Sequence, residues 1–370
     1  MIWTGAVIEG DRDPASCAGS GFPTKWMDEK GWMGTLSLPR VVTLTNHSAT
    51  TDEGSDDVYL ATPPLPELSS LRVPGSASNL TASLAPGVAA TPLPAIRGRS
   101  AEVDARFALP PPSFDGSGWD VGVQLLWSDN DEELTRAGVR DGSLMPGIDL
   151  WDEVSGDRAD VSCGSVESCR AICAADAGCG AWTFSDYQSG GRCRLKSSAR
   201  HSILVVANQP TCFQPNLLPP QRYAANVSTS GYVQPKSGGI RYAQLYINRS
   251  KSWLDKGPGT CGNYSGVATG CVFGHFGYAQ MLRILPTDQE LRIHAFVDRS
   301  IIEVFGNGGR AAVTARVYPT MATADRIGVY QQVGATRAPL TVQASAWRMG
   351  SANVSAAEVL AAMTGDDRDE

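Results

Sequence analysis

The sequence has little basic charge and no long apolar run, and these two absences exclude several classes of protein. Its 31 Lys and Arg residues are outnumbered by 38 Asp and Glu residues, which gives a net charge of -7. Without a basic excess, a chain has no overall field that would hold a phosphate backbone or an anionic lipid surface. The longest aliphatic run, Ile203 to Ala207, is far shorter than the roughly 18 residues that a membrane-spanning helix needs. We therefore expect neither a nucleic-acid partner nor a membrane partner.

Motifs for metal, phosphate and serine chemistry are also missing. The four histidines show no HxH or HExxH spacing, and the cysteines form no paired CxxC knuckles, so we expect no metal site. The sequence contains no Gly-x-Ser-x-Gly elbow and no GxxxxGKS phosphate loop, and we expect no cofactor. Paired carboxylates remain as the catalytic chemistry to consider.

Three residues supply candidate carboxylates. Asp298 and Glu303 lie on either side of a predicted strand turn, and Asp13 belongs to an Arg-Asp-Pro triplet. The alternative interpretation is that Asp298 and Arg299 form surface ion pairs that hold the hairpin, and we favour it because turn aspartates commonly have this role. We therefore assign no catalytic residue within this chain.

Glycine and proline are abundant, with 39 Gly and 23 Pro. This composition favours short strands joined by turns and predicts an all-β fold. Apolar residues alternate along 101–109 and 119–127, and again along 291–317. Breaks at 298–300 and 307–309 divide the last stretch, so it predicts a three-stranded meander. Together these patterns predict a two-layer antiparallel β-sandwich.

The composition changes along the chain, and the changes predict domain boundaries. We assign the sandwich to residues 41–142 and 239–350, and a separate insert, with a short helix at Val166 to Ala175, to residues 143–238. The Pro-rich stretch 61–94 is interpreted as an extended connection over the surface. The remaining residues, 1–40 and 351–370, are interpreted as the end of a preceding domain with a linker and as a flexible tail.

Cysteines and glycosylation sequons point to the secretory route. Six of the nine cysteines lie between Cys163 and Cys212, a density that suits an oxidising compartment. Six of the ten Asn residues begin an Asn-x-Ser/Thr sequon. Because the sequence starts without a leader peptide, we expect that a further segment precedes it. We predict a secreted, vacuolar or cell-wall protein. The predicted glycosylation sites are Asn46, Asn79, Asn226, Asn248, Asn263 and Asn353.

Several motifs, in order, resemble the C-terminal region of glycoside hydrolase family 32, the family of invertases, inulinases and other β-fructofuranosidases. In that family a five-bladed propeller carries the active site and a C-terminal β-sandwich packs against it. The resemblance implies that residues before Gly31 end the propeller and that a carbohydrate, sucrose or a fructan, is the substrate. The motifs are GWMGTLSLPRVVTL (31–44), PLPELSSLR (64–72), EELTRAGV (132–139), LYINRSKS (245–252) and FVDRSIIEVFGNGGRAAVTARVYP (296–319).

The chain departs from the family at its catalytic residues. The family hydrolyses with retention, which needs two carboxyl groups about 5 to 5.5 Å apart. The sequence contains no NDPNG-like string, which would supply the nucleophile, and no Glu-Cys dipeptide, which would supply the acid/base. Asp13 lies close before Gly31, so we do not assign it to the family's functional RDP motif. The resemblance therefore covers the non-catalytic end of the enzyme.

The insert has a resemblance of its own, to PAN/apple domains, through PGIDLWD (146–152), CRAICAADAGCGAWTF (169–184) and GRCRLKSS (191–198). Six cysteines permit 15 pairings. The apple pattern implies the pairs Cys173 with Cys179, Cys169 with Cys193, and Cys163 with Cys212. We also expect Cys261 and Cys271 to close a loop, which leaves Cys17 without an assigned partner.

Two aromatic residues of the insert are candidate ligand contacts. Trp182 and Tyr187 lie on or beside its predicted central strand, and aromatic rings stack on sugar faces. Strand alternation also allows Trp182 to face the core, and we favour that interpretation.

Two functions therefore remain. The chain is either the C-terminal portion of a secreted fructoside hydrolase, or a stand-alone module that binds a protein or a glycan through its insert.

Overall fold

The structure is a computed structural model. It describes residues 7–8, 35–47, 57–87, 90–111, 118–146, 148–152, 157–185, 191–197, 202–206, 228–233, 239–252, 277–317, 319–333 and 339–351. Within these ranges no helix is both long and apolar enough to span a bilayer.

Most of the regular structure is β-strand. In chain order the strands are β1 (Val7–Ile8), β2 (Thr35–Leu36), β3 (Thr43–His47), β4 (Asp57–Ala61), β5 (Ser78–Leu84), β6 (Thr91–Arg97), β7 (Ser100–Ala108), β8 (Trp119–Trp127), β9 (Leu134–Asp141), β10 (Met145–Pro146), β11 (Ile148–Asp152), β12 (Ala159–Ser162), β13 (Ala181–Ser185), β14 (Arg192–Lys196), β15 (Ser202–Val206), β16 (Ser228–Tyr232), β17 (Arg241–Lys251), β18 (Gly277–Ile284), β19 (Glu290–Asp298), β20 (Ile301–Gly306), β21 (Ala311–Arg316), β22 (Arg326–Val333) and β23 (Leu340–Arg348). A 3-10 helix spans Pro66–Leu71, and the α-helix α1 spans Val166–Ala175.

Two six-stranded antiparallel sheets form the largest unit. The first sheet has the order β18-β17-β9-β8-β22-β6, and the second has the order β21-β20-β19-β7-β23-β5. Successive side chains of a strand point to opposite faces, so alternate apolar residues of each sheet meet between the layers. The predicted fold class, a two-layer antiparallel β-sandwich, is confirmed. Fully buried members of the core include Val103, Ala105, Phe107, Val121, Val123, Val139, Leu245, Ile247, Ile293, Ala295, Ile302, Val304, Val329 and Val342.

The predicted meander is present as β19, β20 and β21. The loop between β19 and β20 is a two-residue hairpin in which Arg299 has φ 52°. Between β20 and β21, Asn307, Gly308 and Gly309 have φ values of 41°, 72° and 85°. Gly and Asn tolerate this left-handed region, which is why the Asn-Gly-Gly sequence marked the turn.

One sequence-based interpretation was wrong. The Pro-rich stretch 61–94 is not an extended connection, because it contributes β5 and the first part of β6 to the two sheets. Each of these strands is the last in its sheet. Proline lacks a backbone donor and is tolerated on such an edge, so Pro92 and Pro94 do not prevent β6 from pairing with β22.

The segment between β9 and β17 forms smaller sheets. Five strands have the order β10-β16-β13-β14-β12, and β11 pairs with β15. The helix α1 begins where the sequence predicted, with the Ser165 side chain accepting a hydrogen bond from the Ser168 backbone N–H. This segment leaves and rejoins the sandwich at neighbouring positions, since Asp141 pairs with Ala243. The bounds 143–238 and the likeness to an apple domain remain predictions.

A small apolar contact joins this segment to the first sheet. Met145, Leu150 and Tyr232 are almost completely buried, and Tyr242 and Met281 of the sandwich pack against them. The ring centroids of Tyr232 and Tyr242 lie 5.3 Å apart. The segment therefore packs on the sandwich in addition to being tethered to it.

On the outer face of the first sheet, two tyrosines meet above two glycines. The hydroxyls of Tyr246 and Tyr330 are 2.7 Å apart, and Tyr246 donates to the Asp120 carboxylate at 2.6 Å. A Cβ atom added at Gly138 would lie 2.4 Å from the Tyr330 hydroxyl and 2.6 Å from a backbone oxygen, and one at Gly122 would meet the same hydroxyl. Only glycine at positions 122 and 138 leaves room for the tyrosine side chains to lie over the sheet.

We expect Gly138→Ala to destabilise the sandwich by about 1–3 kcal/mol, because the added methyl group must displace Tyr330 or the backbone. Gly98→Ala is a matched control, since its nearest non-neighbour atom would lie 3.6 Å away. Urea unfolding measures both variants. Equal stability of the two would contradict this account of the tyrosine pair.

Candidate functional site

The two candidate carboxylates of the sandwich contact different elements. Asp298, at the end of β19, is exposed and accepts a hydrogen bond from the Ser100 hydroxyl at 3.2 Å. Glu303, on β20, is 3% exposed and lies opposite Phe296 in the strand register. They share no partner among the described residues. Asp13 lies outside the described residues.

Both carboxylate oxygens of Glu303 are occupied. The backbone N–H of Leu38 donates to Oε1 at 2.5 Å, and Nη2 of Arg40 donates to Oε2 at 2.8 Å. The Thr314 hydroxyl donates to Oε2 at 3.3 Å. The Arg40 guanidinium also lies over the Phe305 ring, 5.0 Å from its centroid. A carboxylate held in this way anchors the chain before the sandwich and is not available to attack or protonate a substrate.

A second buried carboxylate, Glu102 on β7, has an equivalent role that the sequence did not reveal. Arg72 donates to it from Nε at 2.7 Å and from Nη2 at 2.6 Å, and His294 lies 2.8 Å away through Nε2. The guanidinium of Arg72 stacks on Trp347, 3.7 Å from the ring centroid. Glu102 therefore fixes the end of the 3-10 helix to the second sheet.

The electrostatics of Glu102 follow from these contacts. Burial alone would raise the pKa of its carboxyl group, but the hydrogen bonds from Arg72 and His294 outweigh burial and lower the pKa from 4.5 to about 2. The same hydrogen bond raises the pKa of Arg72. The pair is thus charged at every physiological pH.

We call residues 37–72 the linker segment and the outer face of the second sheet the anchoring face. Main-chain hydrogen bonds add to the two ion pairs. The Thr62 N–H donates to the Gly309 carbonyl at 2.8 Å, and the Gly350 N–H donates to the Leu71 carbonyl at 2.7 Å. Within the segment, Val41 N–H donates to Pro63 O at 3.0 Å. The linker segment is therefore tied to the sandwich at Leu38, Arg40, Thr62, Leu71 and Arg72.

Comparison with known proteins identifies the family. The family described as "Glycosyl hydrolases family 32 C terminal" matches residues 67–348, roughly three quarters of the chain. The chain belongs to this family. The contacts described above join family 32 motifs to one another, because Arg40 of the SLPR motif binds Glu303 of the FVDRSIIEVFGNGG motif.

Individual relatives match over shorter stretches. The chain is 35% identical over 80 residues to "Beta-fructofuranosidase, insoluble isoenzyme 5" of Oryza sativa subsp. japonica, covering 22% of this chain and 15% of the relative. It is 36% identical over 69 residues to "Fructan 6-exohydrolase" of Beta vulgaris, covering 19% and 11%. A crystal structure of fructan 1-exohydrolase IIa from Cichorium intybus has a TM-score of 0.47 at 16% identity, covering 95% of this chain and 45% of that chain. The chain thus spans less than half of that structure, and the matches span at most 15% of the two relatives.

Two disulfides in the segment between β9 and β17 are the inner pairs that the apple resemblance implies. Cys169 bonds to Cys193 and Cys173 bonds to Cys179, which joins α1 to the sheet. Cys163 is buried and forms no disulfide with another described residue. Its predicted partner Cys212 lies outside the described residues, as do Cys17, Cys261 and Cys271, so those assignments remain predictions.

Three of these sulfur atoms lie close together without forming a metal site. The Sγ atoms of Cys163, Cys169 and Cys193 are within 4.8 Å of one another. Metal binding needs thiolates, and two of the three sulfurs are joined in a disulfide. The cluster therefore packs the core of this segment.

The candidate ligand contacts and glycosylation sites fall in different environments. Trp182 is 1% exposed, which favours the core interpretation over ligand contact, and Tyr187 lies outside the described residues. Asn79 is exposed on β5, whereas Asn248 is partly buried on β17, which is paired on both sides. Asn46 lies on β3. The other three sequon residues, Asn226, Asn263 and Asn353, lie outside the described residues.

We expect Glu303→Gln to destabilise the protein by about 2 kcal/mol or more, because it leaves Arg40 in a buried site without its counter-charge. Asp298→Asn makes the same chemical change on the same hairpin at an exposed position and should stay within about 0.5 kcal/mol of the wild type. Thermal unfolding compares the two. Similar effects of both substitutions would show that Glu303 is not the anchor described here.

Glu102→Gln should show a distinctive pH dependence. The pKa of Glu102 in the folded state lies below its ordinary value. The contribution of its carboxylate to the free energy of unfolding is therefore fully present above about pH 4.5 and is lost as the pH falls toward 2. We expect Glu102→Gln to be less stable than the wild type by about 2–3 kcal/mol at pH 7, and this difference in the free energy of unfolding should shrink as the pH falls from 4.5 toward 2. The half-exposed Glu290, which pairs with Arg106, provides the control variant Glu290→Gln. A deficit that stays constant down to pH 2 would contradict the assignment.

Proposed function

We propose that this chain is the C-terminal portion of a secreted family 32 enzyme that hydrolyses O-glycosyl bonds in sucrose or fructans. In this proposal the sandwich supports a catalytic propeller that lies mostly outside the chain. Carbohydrate is the partner of the complete enzyme, and the cell wall or the vacuole is its location.

The observation that carries the proposal is the set of hydrogen bonds made by the Glu303 carboxylate. Hydrolysis with retention needs one free carboxylate as nucleophile and one carboxyl group as acid/base on opposite sides of a sugar. Both carboxylate oxygens of Glu303 accept hydrogen bonds, which come from Leu38, Arg40 and Thr314. The carboxylate of Glu102 is hydrogen-bonded to Arg72 and His294 in the same way. Among the described residues, the buried carboxylates of the anchoring face thus support a structural role.

The contacts of the linker segment also support a structural role for the sandwich. A domain that precedes residue 37 would be joined to the sandwich through a segment fixed at Leu38, Arg40 and Arg72. Such a segment allows little rotation, because buried Glu303 on β20 holds Leu38 and Arg40 while buried Glu102 on β7 holds Arg72. A preceding catalytic domain would therefore be held in one orientation relative to the sandwich.

The alternative function, a stand-alone module that binds a protein or glycan through the apple-like segment, has less support. Its best ligand candidate, Trp182, is enclosed by the core of that segment. We therefore favour the enzyme portion.

We expect the purified 370-residue chain to release no fructose from sucrose or inulin above background, since it lacks the family's nucleophile and acid/base motifs. A reducing-sugar assay, with an authentic β-fructofuranosidase as positive control, makes the measurement. Turnover that disappears in Asp298→Asn or Glu303→Gln would overturn the proposal and place a catalytic site in the sandwich.

A further inference from the structure

The edge strand β5 lacks the usual protection of sheet edges. It pairs with β23 on one side and, among the described strands, has no hydrogen-bonded neighbour on the other. Open edges are prone to pair with other chains, and proteins protect them with charges, prolines or short strands. The β5 sequence SNLTASL is seven residues long and contains no charge and no proline.

The other three edges of the sandwich are protected. Strand β6 contains Pro92 and Pro94, which cannot donate to an added strand. Strands β18 and β21 contain Arg283 and Arg316. Strand β5 contacts β6 across the sandwich as β18 contacts β21, but only β5 among these four edges contains neither a charge nor a proline.

The sequon Asn79-Leu80-Thr81 lies within this strand. The burial of β5 alternates so that Asn79, Thr81 and Ser83 are exposed while Leu80 and Ala82 are partly covered by the core. The Ser345 hydroxyl donates to Oδ1 of Asn79 at 2.7 Å. This bond uses the amide oxygen and leaves Nδ2, the atom to which a sugar is attached, without a hydrogen-bond acceptor among the described residues.

We propose that Asn79 carries an N-linked oligosaccharide and that this glycan protects the β5 edge against strand addition. The proposal rests on the secretory route in the proposed function. A lipid-diphosphate-linked oligosaccharide is the donor. A bond forms between Nδ2 of Asn79 and the first sugar carbon, the bond from that carbon to the diphosphate oxygen breaks, the amide gives up one proton, and the lipid diphosphate leaves.

A bulky, hydrated glycan at Asn79 prevents strand addition to β5, as a charge or a proline does on other edges. It stands on the exposed face of a seven-residue strand, next to the unpaired backbone groups. An approaching strand would have to exclude it in order to pair with β5. Asn248 differs, because β17 is paired with both β9 and β18 and has no open edge to protect.

The first test is the occupancy of Asn79. The complete chain is expressed behind a cleavable leader in a yeast secretory host and treated with peptide N-glycosidase in heavy-oxygen water, and its peptides are analysed by mass spectrometry. Conversion of Asn79 to a labelled Asp is the expected result. Thr81→Ser keeps the sequon and should keep the label, whereas Thr81→Ala retains Asn79 but should lose it. An unlabelled Asn79 in the wild type overturns the proposal.

The second test is the protective role. Thr81→Ala and Thr81→Lys both lack the sequon, but the lysine places a charge on the open edge. We expect Thr81→Ala to form dimers and larger species in sedimentation velocity, while Thr81→Lys and the glycosylated wild type stay monomeric at the same concentration. Asn79→Gln provides a second glycan-free variant and should behave as Thr81→Ala. Monomeric Thr81→Ala and Asn79→Gln, or equal association of all three variants, would overturn the protective role.

These results separate the inference from the proposed function. Fructose release reports on the catalytic role of the chain, and neither the glycan map nor sedimentation depends on hydrolysis. A glycosylated, inactive chain supports both proposals. A chain that hydrolyses sucrose through Glu303 but carries the Asn79 glycan would contradict only the proposed function.

Discussion

The structure depends on the face-to-face burial of two antiparallel sheets. Each strand of the sandwich gives alternate residues to the layer between the sheets, where Val, Ile, Ala and Leu side chains are removed from water. At about 25 cal/mol for each Å² of apolar surface removed from water, this burial is the main stabilising contribution. It also determines which residues lie on the outer faces, since the side chains directly before and after a core position in a strand must point outward. The anchoring face and the tyrosine pair are therefore positioned by the same alternation that builds the core.

The outer faces contain buried charge, which is costly unless every polar atom has a partner. Glu303 and Glu102 meet this condition with different donors. A backbone N–H, an arginine and a hydroxyl surround Glu303, and a bidentate arginine and a histidine surround Glu102. Neutral apolar side chains would also fill these positions, but they would not specify where the linker segment attaches. The ion pairs thus contribute more to the geometry of the attachment than to the total stability.

Much of the fold could be predicted from local patterns. The hairpin at Asn307-Gly308-Gly309 and the helix α1 were found because their signals lie within a few residues. Local patterns did not predict β6, because Pro92 and Pro94 argue against a central strand although they are compatible with an edge, and they did not predict β5, because it lies in the same Pro-rich stretch. Glu102 was missed for a different reason. Its partners Arg72 and His294 are 30 and 192 residues away, and no local pattern specifies which strands become neighbours.

The register pair between Asp141 and Ala243 has a mechanical consequence. The segment between β9 and β17 departs from adjacent strands at the same end of the sheet. A pulling force on that segment would separate β9 from β17 one hydrogen bond at a time, starting with the bond from the Gly142 N–H to the Tyr242 carbonyl beside this pair. Bonds that are loaded in sequence resist much less force than bonds that are sheared together. The packing of Tyr232 on Tyr242 lies beside the exit point and would share that load.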